Sequence, residues 1–321
     1  MTKIAILDDY QNVALKMADW NLLSEDVEIV VFDDHLAEWE RVAERLQGFD
    51  IVCIMRERTP FPRALFEALP DLRLLVTSGM RNASIDLEAA VAAGVTVSGT
   101  KASGQATAEL TWGLILALLR HVPLEDRAMH EGGWQNTIGN ELQGKTLGLF
   151  GLGRLGSRVA QVGNAFGMEV LAWSQNLTDA RASECGARRV DKDALLAASD
   201  VVSIHLILSE RSRDLLGAAE LARMKPTAVL VNTSRGPIVN EAALIEALEH
   251  GRIRGAGIDV YDTEPLPYDH PLRKLGNVVL TPHIGYVTEE SYRSFYQGMV
   301  EAVRAYLDGA PINVIALPDG S

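Results

Sequence analysis

Cysteine is almost missing from this chain: Cys53 and Cys185 are the only two in 321 residues, and neither belongs to a C-x-x-C pair. The expectation is two buried thiols in a reducing compartment. Long apolar runs are missing too. The longest, Leu110–Leu119, falls short of the roughly 20 residues that a membrane-spanning helix needs. The opening segment Met1–Asp9 reads as a first strand and not as a secretory leader, so a cytoplasmic location is expected. Positive charge is in deficit, with 30 Lys and Arg against 43 Asp and Glu and a net charge of −13. That balance argues against nucleic acid or an anionic membrane as partner. It leaves room for a local basic pocket that takes a small anion. Repeats, low-complexity runs and a flexible linker are absent, and no cluster of side chains has metal-ligand spacing.

What is present is core-forming material, with 47% hydrophobic and 23% charged residues, in a length that suits about two domains. Short apolar runs alternate with helical patterns. Ile4–Leu7, Val27–Phe32, Ile51–Ile54, Leu74–Thr77 and Val95–Ser98 read as strands, with helical stretches at Leu36–Leu46, Pro62–Leu69 and Leu87–Ala93 between them. A second series has strands at Thr146–Phe150, Val170–Trp173, Val201–Ile204, Ala228–Val231, Ile253–Asp259 and 276–281. Its helices include Ala194–Ala198, Gly217–Arg223 and Glu241–His250. Alternation of this kind predicts parallel sheets, an α/β fold of two Rossmann-like domains. Two longer helical patterns, Ser103–Arg120 and Glu289–Leu307, lie outside both series. They are expected where the chain passes between domains, the C-terminal tail returning to the first. The predicted division is 1–101 plus 288–321 for one discontinuous domain, with 102–287 inserted into it.

Gly151, Gly153 and Gly156 form a G-x-G-x-x-G loop between the apolar run Thr146–Phe150 and a helical pattern, Arg154–Phe166. A strand before and a helix after are the context that a dinucleotide-binding turn requires. The glycines permit a tight turn, close approach of backbone to a pyrophosphate, and close packing of helix on strand. The helix start then turns its free N–H groups towards the phosphates. About 20 residues on, an acid is expected to bind the adenosine ribose. Here the strand ends Ala172-Trp173-Ser174-Gln175-Asn176 and the acid is missing. Ser174 and Gln175 do not repel a 2′-phosphate, so NADP(H) is permitted and both NAD(H) and NADP(H) stay open. Arg181 is the nearest cation in sequence that could meet such a phosphate.

Downstream, three segments follow strands and carry reactive side chains: Val231–Pro237, Asp259–Pro265 and Thr281–Gly285. Ligands of open parallel sheets bind at the carboxyl ends of strands. Arg235 offers a planar fork suited to a carboxylate and a neighbouring carbonyl oxygen. His283 can pass a proton to that oxygen. Glu264 can hydrogen-bond the imidazole and favour its charged form. In the opposite direction neutral His283 serves as base.

With these residues in place the chain resembles the D-isomer-specific 2-hydroxyacid dehydrogenases over nearly its full length. The resemblance is carried by Gly144–Gly148 leading into Gly151–Gly156, by Met224-Lys225-Pro226 before Asn232–Gly236, and by Asp259–Pro265 and Thr281–Gly285. It implies two Rossmann-like domains with the active site between them, the inserted one for the cofactor and the discontinuous one for the substrate. It implies a homodimer and no metal. Arg235, Glu264 and His283 would be catalytic. Arg154 and Leu155 would meet the pyrophosphate, Thr233 and Asp259 would lie near the nicotinamide with Asp259 at its carboxamide, and Thr107 would face the cofactor. Backbone N–H groups around Met80 and Arg81 would hold the substrate carboxylate. Arg56 and Arg58, after the third strand, could face an anionic substrate or form a salt-bridged turn. The implied reaction moves a hydride between NAD(P)(H) and a small 2-keto or D-2-hydroxy acid such as glyoxylate, hydroxypyruvate or a phosphoglycerate-like acid.

Three departures from the family pattern stand out. Ser174 replaces the usual acid, Ile207 stands where proline is common, and Tyr286 follows Gly285 where a small residue is usual. Tyr286 could narrow the pocket, offer a hydroxyl to substrate, or pack at the domain seam. Formate dehydrogenases share the fold but carry glutamine where Glu264 stands. A cofactor-sensing binding protein of the corepressor type would keep all three polar residues and so remains the alternative to an enzyme. No regulatory domain is expected after the last helix.

Overall fold

The computed structural model describes residues 1–101, 105–316 and 318. Its strands are β1 (Thr2–Ile6), β2 (Val27–Val31), β3 (Ile51–Ile54), β4 (Leu74–Thr77), β5 (Thr96–Gly99), β6 (Thr146–Phe150), β7 (Glu169–Trp173), β8 (Arg188–Arg189), β9 (Val201–Ile204), β10 (Val229–Asn232), β11 (Gly255–Ile258), β12 (Val278–Leu280) and β13 (Val314–Ala316). The chain divides into two compact units, Met1–Ser103 with Val287–Ser321, and Gly104–Tyr286.

The first unit holds a six-stranded sheet in the order β13-β5-β4-β3-β1-β2. All pairs are parallel except β13 on β5. Strands β3 and β4 are buried along their whole length. That explains why they read as continuous apolar runs and not as alternating ones: parallel strands are covered on both faces. The helix Glu289–Leu307 belongs to this unit. Thr288 caps it by accepting from the Ser291 N–H at 3.2 Å, and Glu289 and Glu290 sit in its first turn. Tyr292, Phe295, Tyr296, Met299, Val300 and Val303 recur at helical spacing and are buried.

The second unit is a fully parallel seven-stranded sheet, β12-β11-β10-β9-β6-β7-β8. From β6 the chain runs outward to β7 and β8, then crosses back to β9 on the other side. Strand order therefore reverses at β6, and a parallel sheet binds ligands at such a switch point. The helix Ala106–Leu119 lies against β10 and β11, with Trp112, Leu114, Ile115, Leu118 and Leu119 buried. The sequence places its start at Ser103, which lies outside the described residues. Among the described residues no helix is long and apolar enough to cross a membrane. Cys53 and Cys185 are both buried and unpaired.

Candidate active site

The glycine turn sits at the carboxyl end of β6. Gly151 has φ +98°, a conformation that a side chain would strain, and a β-carbon there would come within 2.7 Å of the His205 carbonyl. A β-carbon at Gly156 would overlap the Gly151 carbonyl, so the helix Arg154–Ala165 starts hard against the turn. Gly153, by contrast, faces open space within 4 Å and stands as the N-cap without a side-chain cap. The first-turn N–H groups at Arg154 and Leu155 are thus turned to an open cradle beside a bare glycine, which fits a pyrophosphate. Arg154 is exposed and Leu155 half-buried.

At the end of β7, Ser174 is half-buried and Gln175 exposed, and no carboxylate stands at either position. Arg181 is engaged by Glu184 at 3.2 Å, and Arg189 by Asp179 at 3.6 Å. His205 follows β9, with Nε2 3.0 Å from Ser203 Oγ. Burial pushes its imidazole down to about 4.

Three loops after β10, β11 and β12 carry the reactive side chains, and the structure ties them together. Asn232 braces the first: its Oδ1 accepts from the Ser234 N–H at 3.0 Å and its Nδ2 donates to the Arg235 carbonyl at 3.0 Å. Arg235 is half-buried, and its Nη1 donates to the Ser234 carbonyl at 2.8 Å. Gly236 abuts the second loop, since a β-carbon there would overlap the Tyr261 carbonyl. Glu264 Oε1 accepts from the Tyr261 N–H at 2.9 Å, while Oε2 lies 2.5 Å from His283 Nδ1 in the third loop. The Tyr261 hydroxyl lies 3.0 Å from the Thr281 carbonyl, joining second and third loops again. His283 has φ +53°, a left-handed conformation that a non-glycine residue keeps only where its surroundings hold it.

Asp259 supplies that hold. It is fully buried. Oδ1 accepts from Thr281 Oγ1 at 2.6 Å and from the Ile284 N–H at 2.8 Å, and Oδ2 accepts from the Gly285 N–H at 2.9 Å. Burial raises its carboxyl above the usual carboxylate range, and these hydrogen bonds oppose the rise. Thr107 Oγ1 donates to the Gly285 carbonyl at 2.9 Å. Thr233 Oγ1 pairs with Thr111 Oγ1 at 2.8 Å. Asp259, Thr233 and Thr107, expected from sequence to face the cofactor, all spend hydrogen bonds on the protein. Asn232, Tyr261 and Thr111 do comparable bracing and were not singled out. Tyr261 and Asn232 lie inside the quoted segments, but their contacts span side chain and backbone in ways no spacing announces. Thr111 carries no signal beyond helical position.

Met80, Arg81, Arg56 and Arg58 belong to the first unit. Met80 and Arg81 are exposed on the loop after β4. Arg56 has φ +54° and takes an ion pair with Glu57 at 3.5 Å. Its Nη1 fills the place that a side chain at Gly79 would occupy, 2.5 Å from a β-carbon built there. Arg58 is committed elsewhere, donating to the Asp8 carbonyl at 2.7 Å and to the Tyr292 hydroxyl at 3.3 Å and lying 4.5 Å over the Tyr10 ring. Among the described residues no group of His, Cys, Asp and Glu could hold a metal ion.

Comparison with known proteins agrees with this chemistry. Residues 112–285 match the family model described as D-isomer specific 2-hydroxyacid dehydrogenase, NAD binding domain. The chain is 40% identical to a glyoxylate reductase of Aeropyrum pernix over 78% of each protein. It is 32% identical to a hydroxypyruvate reductase of Blautia hydrogenotrophica, over 98% of this chain and 99% of that one. The crystal structure of a phosphoglycerate oxidoreductase from Vibrio cholerae matches with a TM-score of 0.92 at 39% identity, covering 97% of this chain and 100% of that one. Nothing in these comparisons favours the non-enzymatic alternative. The chain belongs to the D-isomer-specific 2-hydroxyacid dehydrogenases, NAD-binding oxidoreductases that interconvert 2-keto and 2-hydroxy acids.

Proposed function

We propose that this enzyme reduces a small 2-keto acid of the glyoxylate or hydroxypyruvate kind, or a phosphoglycerate-like acid, with His283 as the proton-transfer group. The observation that carries the reading is the 2.5 Å pairing of His283 Nδ1 with Glu264 Oε2. It commits Nδ1–H to the carboxylate and leaves Nε2 to exchange a proton. Bound nicotinamide supplies or takes up the hydride at the carbon beside the carboxylate. Arg235 holds that carboxylate and the adjacent oxygen through its fork of donors. His283 Nε2 gives a proton to the oxygen in reduction and takes it back from the hydroxyl in oxidation. Glu264 keeps the imidazole in the required tautomer by its bond to Nδ1. Backbone N–H groups at Met80 and Arg81 and the guanidinium of Arg56 are further groups suited to a substrate carboxylate. Thr107, Thr233 and Asp259 serve the cofactor side at one remove, by fixing the loops that face it.

The cradle at Gly151, Gly153 and Gly156 takes the pyrophosphate, with Arg154 and Leu155 at the helix start. Ser174 and Gln175 admit NADP(H) beside NAD(H), since neither repels a 2′-phosphate. The protein works in the cytoplasm, a reading supported by its two buried, unpaired thiols. It works as a homodimer. The helix Val122–His130 has no buried residue, and Trp134 and Ile138 beyond it are 73% and 92% exposed, an apolar surface that a second copy would cover. Sedimentation of the wild type and of Trp134→Glu tests this, the variant becoming monomeric. Turnover of glyoxylate, hydroxypyruvate and phosphohydroxypyruvate with NADH and with NADPH tests the reaction. Tight cofactor binding without turnover of any acid would overturn it.

A further inference from the structure

The backbone that carries His283 is fixed from several sides, but its ring is hydrogen-bonded at one atom. Within the described residues the imidazole makes one hydrogen bond, Nδ1 to Glu264 at 2.5 Å. A single bond along that axis does not fix a plane. With the backbone fixed, two side-chain torsions still place the ring, and one hydrogen-bond length restrains only one combination of them, so the ring can rock and shift Nε2 while the bond keeps its length. Productive proton transfer needs Nε2 within hydrogen-bond reach of one oxygen, so something must restrain the rocking.

Tyr286 stands where that restraint is needed. Its ring centroid lies 5.6 Å from that of His283, with the two planes at 78°. Edge-to-face contact at this separation is an attractive arrangement for aromatic rings, and it depends on their mutual angle. The tyrosine is itself half-buried and directly follows Gly285, whose N–H is held by Asp259 and whose carbonyl is held by Thr107. The same bracing that fixes the His283 backbone therefore fixes the start of the Tyr286 side chain.

We infer that Tyr286 is a positioning residue: its ring sets the plane of the His283 imidazole and thereby the direction of Nε2. The inference rests on the reading of His283 as the proton-transfer group. The ring does this work and the hydroxyl does not.

The test compares Tyr286→Ala, Tyr286→Phe and His283→Ala with the wild type, using glyoxylate and NADH as probes and NADH fluorescence titration as a measure of cofactor binding. The alanine variant should lose about threefold to tenfold in kcat while KM for glyoxylate and NADH affinity hold. Tyr286→Phe should recover the loss, because it restores the ring. Wild-type kcat in Tyr286→Ala would overturn the inference. So would a phenylalanine variant that loses as much kcat as the alanine variant, which would give the work to the hydroxyl and not to the ring. Should the alanine variant not fold, Tyr286→Leu carries the same expectation, since it fills the space without a flat ring. An inactive His283→Ala beside a fully active Tyr286→Ala defeats this inference alone. An active His283→Ala defeats the reading on which it stands.

Discussion

Glu264 and His283, nineteen positions apart, meet through a carboxylate that serves two loops at once. Oε2 holds the imidazole at 2.5 Å, and Oε1 holds the Tyr261 N–H at 2.9 Å. A glutamine at 264 can still accept from the Tyr261 N–H but offers no negative charge to His283. Glu264→Gln should therefore fold normally and lose about tenfold or more of its reductive turnover. Reductive turnover of both proteins with glyoxylate and NADH checks this. Equal turnover would leave Glu264 with a purely structural role.

Arg235 is held by its own loop, through Asn232 and the Ser234 carbonyl, while Gly236 packs against the Glu264 loop. Replacement by alanine should lower kcat/KM by at least about a hundredfold, given the strength of a charge-assisted fork with a carboxylate. NADH affinity should change little. Lysine should recover only a small part, since it cannot reproduce the planar fork. A mutant with most of its activity would remove Arg235 from the reaction.

Ser174 decides tolerance of the 2′-phosphate. Ser174→Asp should weaken NADPH binding by about tenfold or more through like-charge repulsion, and NADH should bind at least as well as before. Fluorescence titrations with both cofactors give the answer. Unchanged NADPH affinity would place the 2′-phosphate away from the end of β7.

His205 links the cofactor turn to pH. Burial pushes its imidazole down to about 4, below the roughly 6.5 of an unfolded chain. The unfolded state therefore takes up the proton first as pH falls. The stability linked to His205 is present above about pH 6.5 and is lost progressively between there and pH 4. Between pH 7 and pH 5 the wild type should lose about 1 kcal/mol more than His205→Gln, allowing for the part of this residue that reaches solvent. Urea unfolding of both proteins at both values measures the difference. Equal losses would show that His205 titrates as it does in water.

Much of the fold can be read from the sequence because the deciding signals are local. Apolar runs such as Ile51–Ile54 and Thr146–Phe150 coincide with β3 and β6, and Glu289–Leu307 is found end to end as a helix. The glycine turn is legible for the same reason: its strand, loop and helix are contiguous. Elements without an apolar pattern escape. Strand β8 is two arginines, and β13 is an antiparallel edge strand of three residues. The helix Val122–His130 buries nothing, so it has no periodicity to betray it. The predicted helix Leu36–Leu46 begins only at Trp39, since hydrophobic spacing fixes a helix face better than its ends. In the site, residue types were readable but their partners were not. Asp259 looks in sequence like a free acid near a cofactor. Folding surrounds it with donors from Thr281, Ile284 and Gly285, more than twenty residues away.

The central claim is that one imidazole moves the proton while the rest of the site holds the acid and the cofactor. Single-turnover reduction of glyoxylate by pre-bound NADH in His283→Ala tests it most directly. The expected result is a fall of about 10²- to 10⁴-fold in the rate of hydride transfer, with NADH affinity close to wild type. A variant that still reduces the acid at a rate near that of the wild type would contradict it.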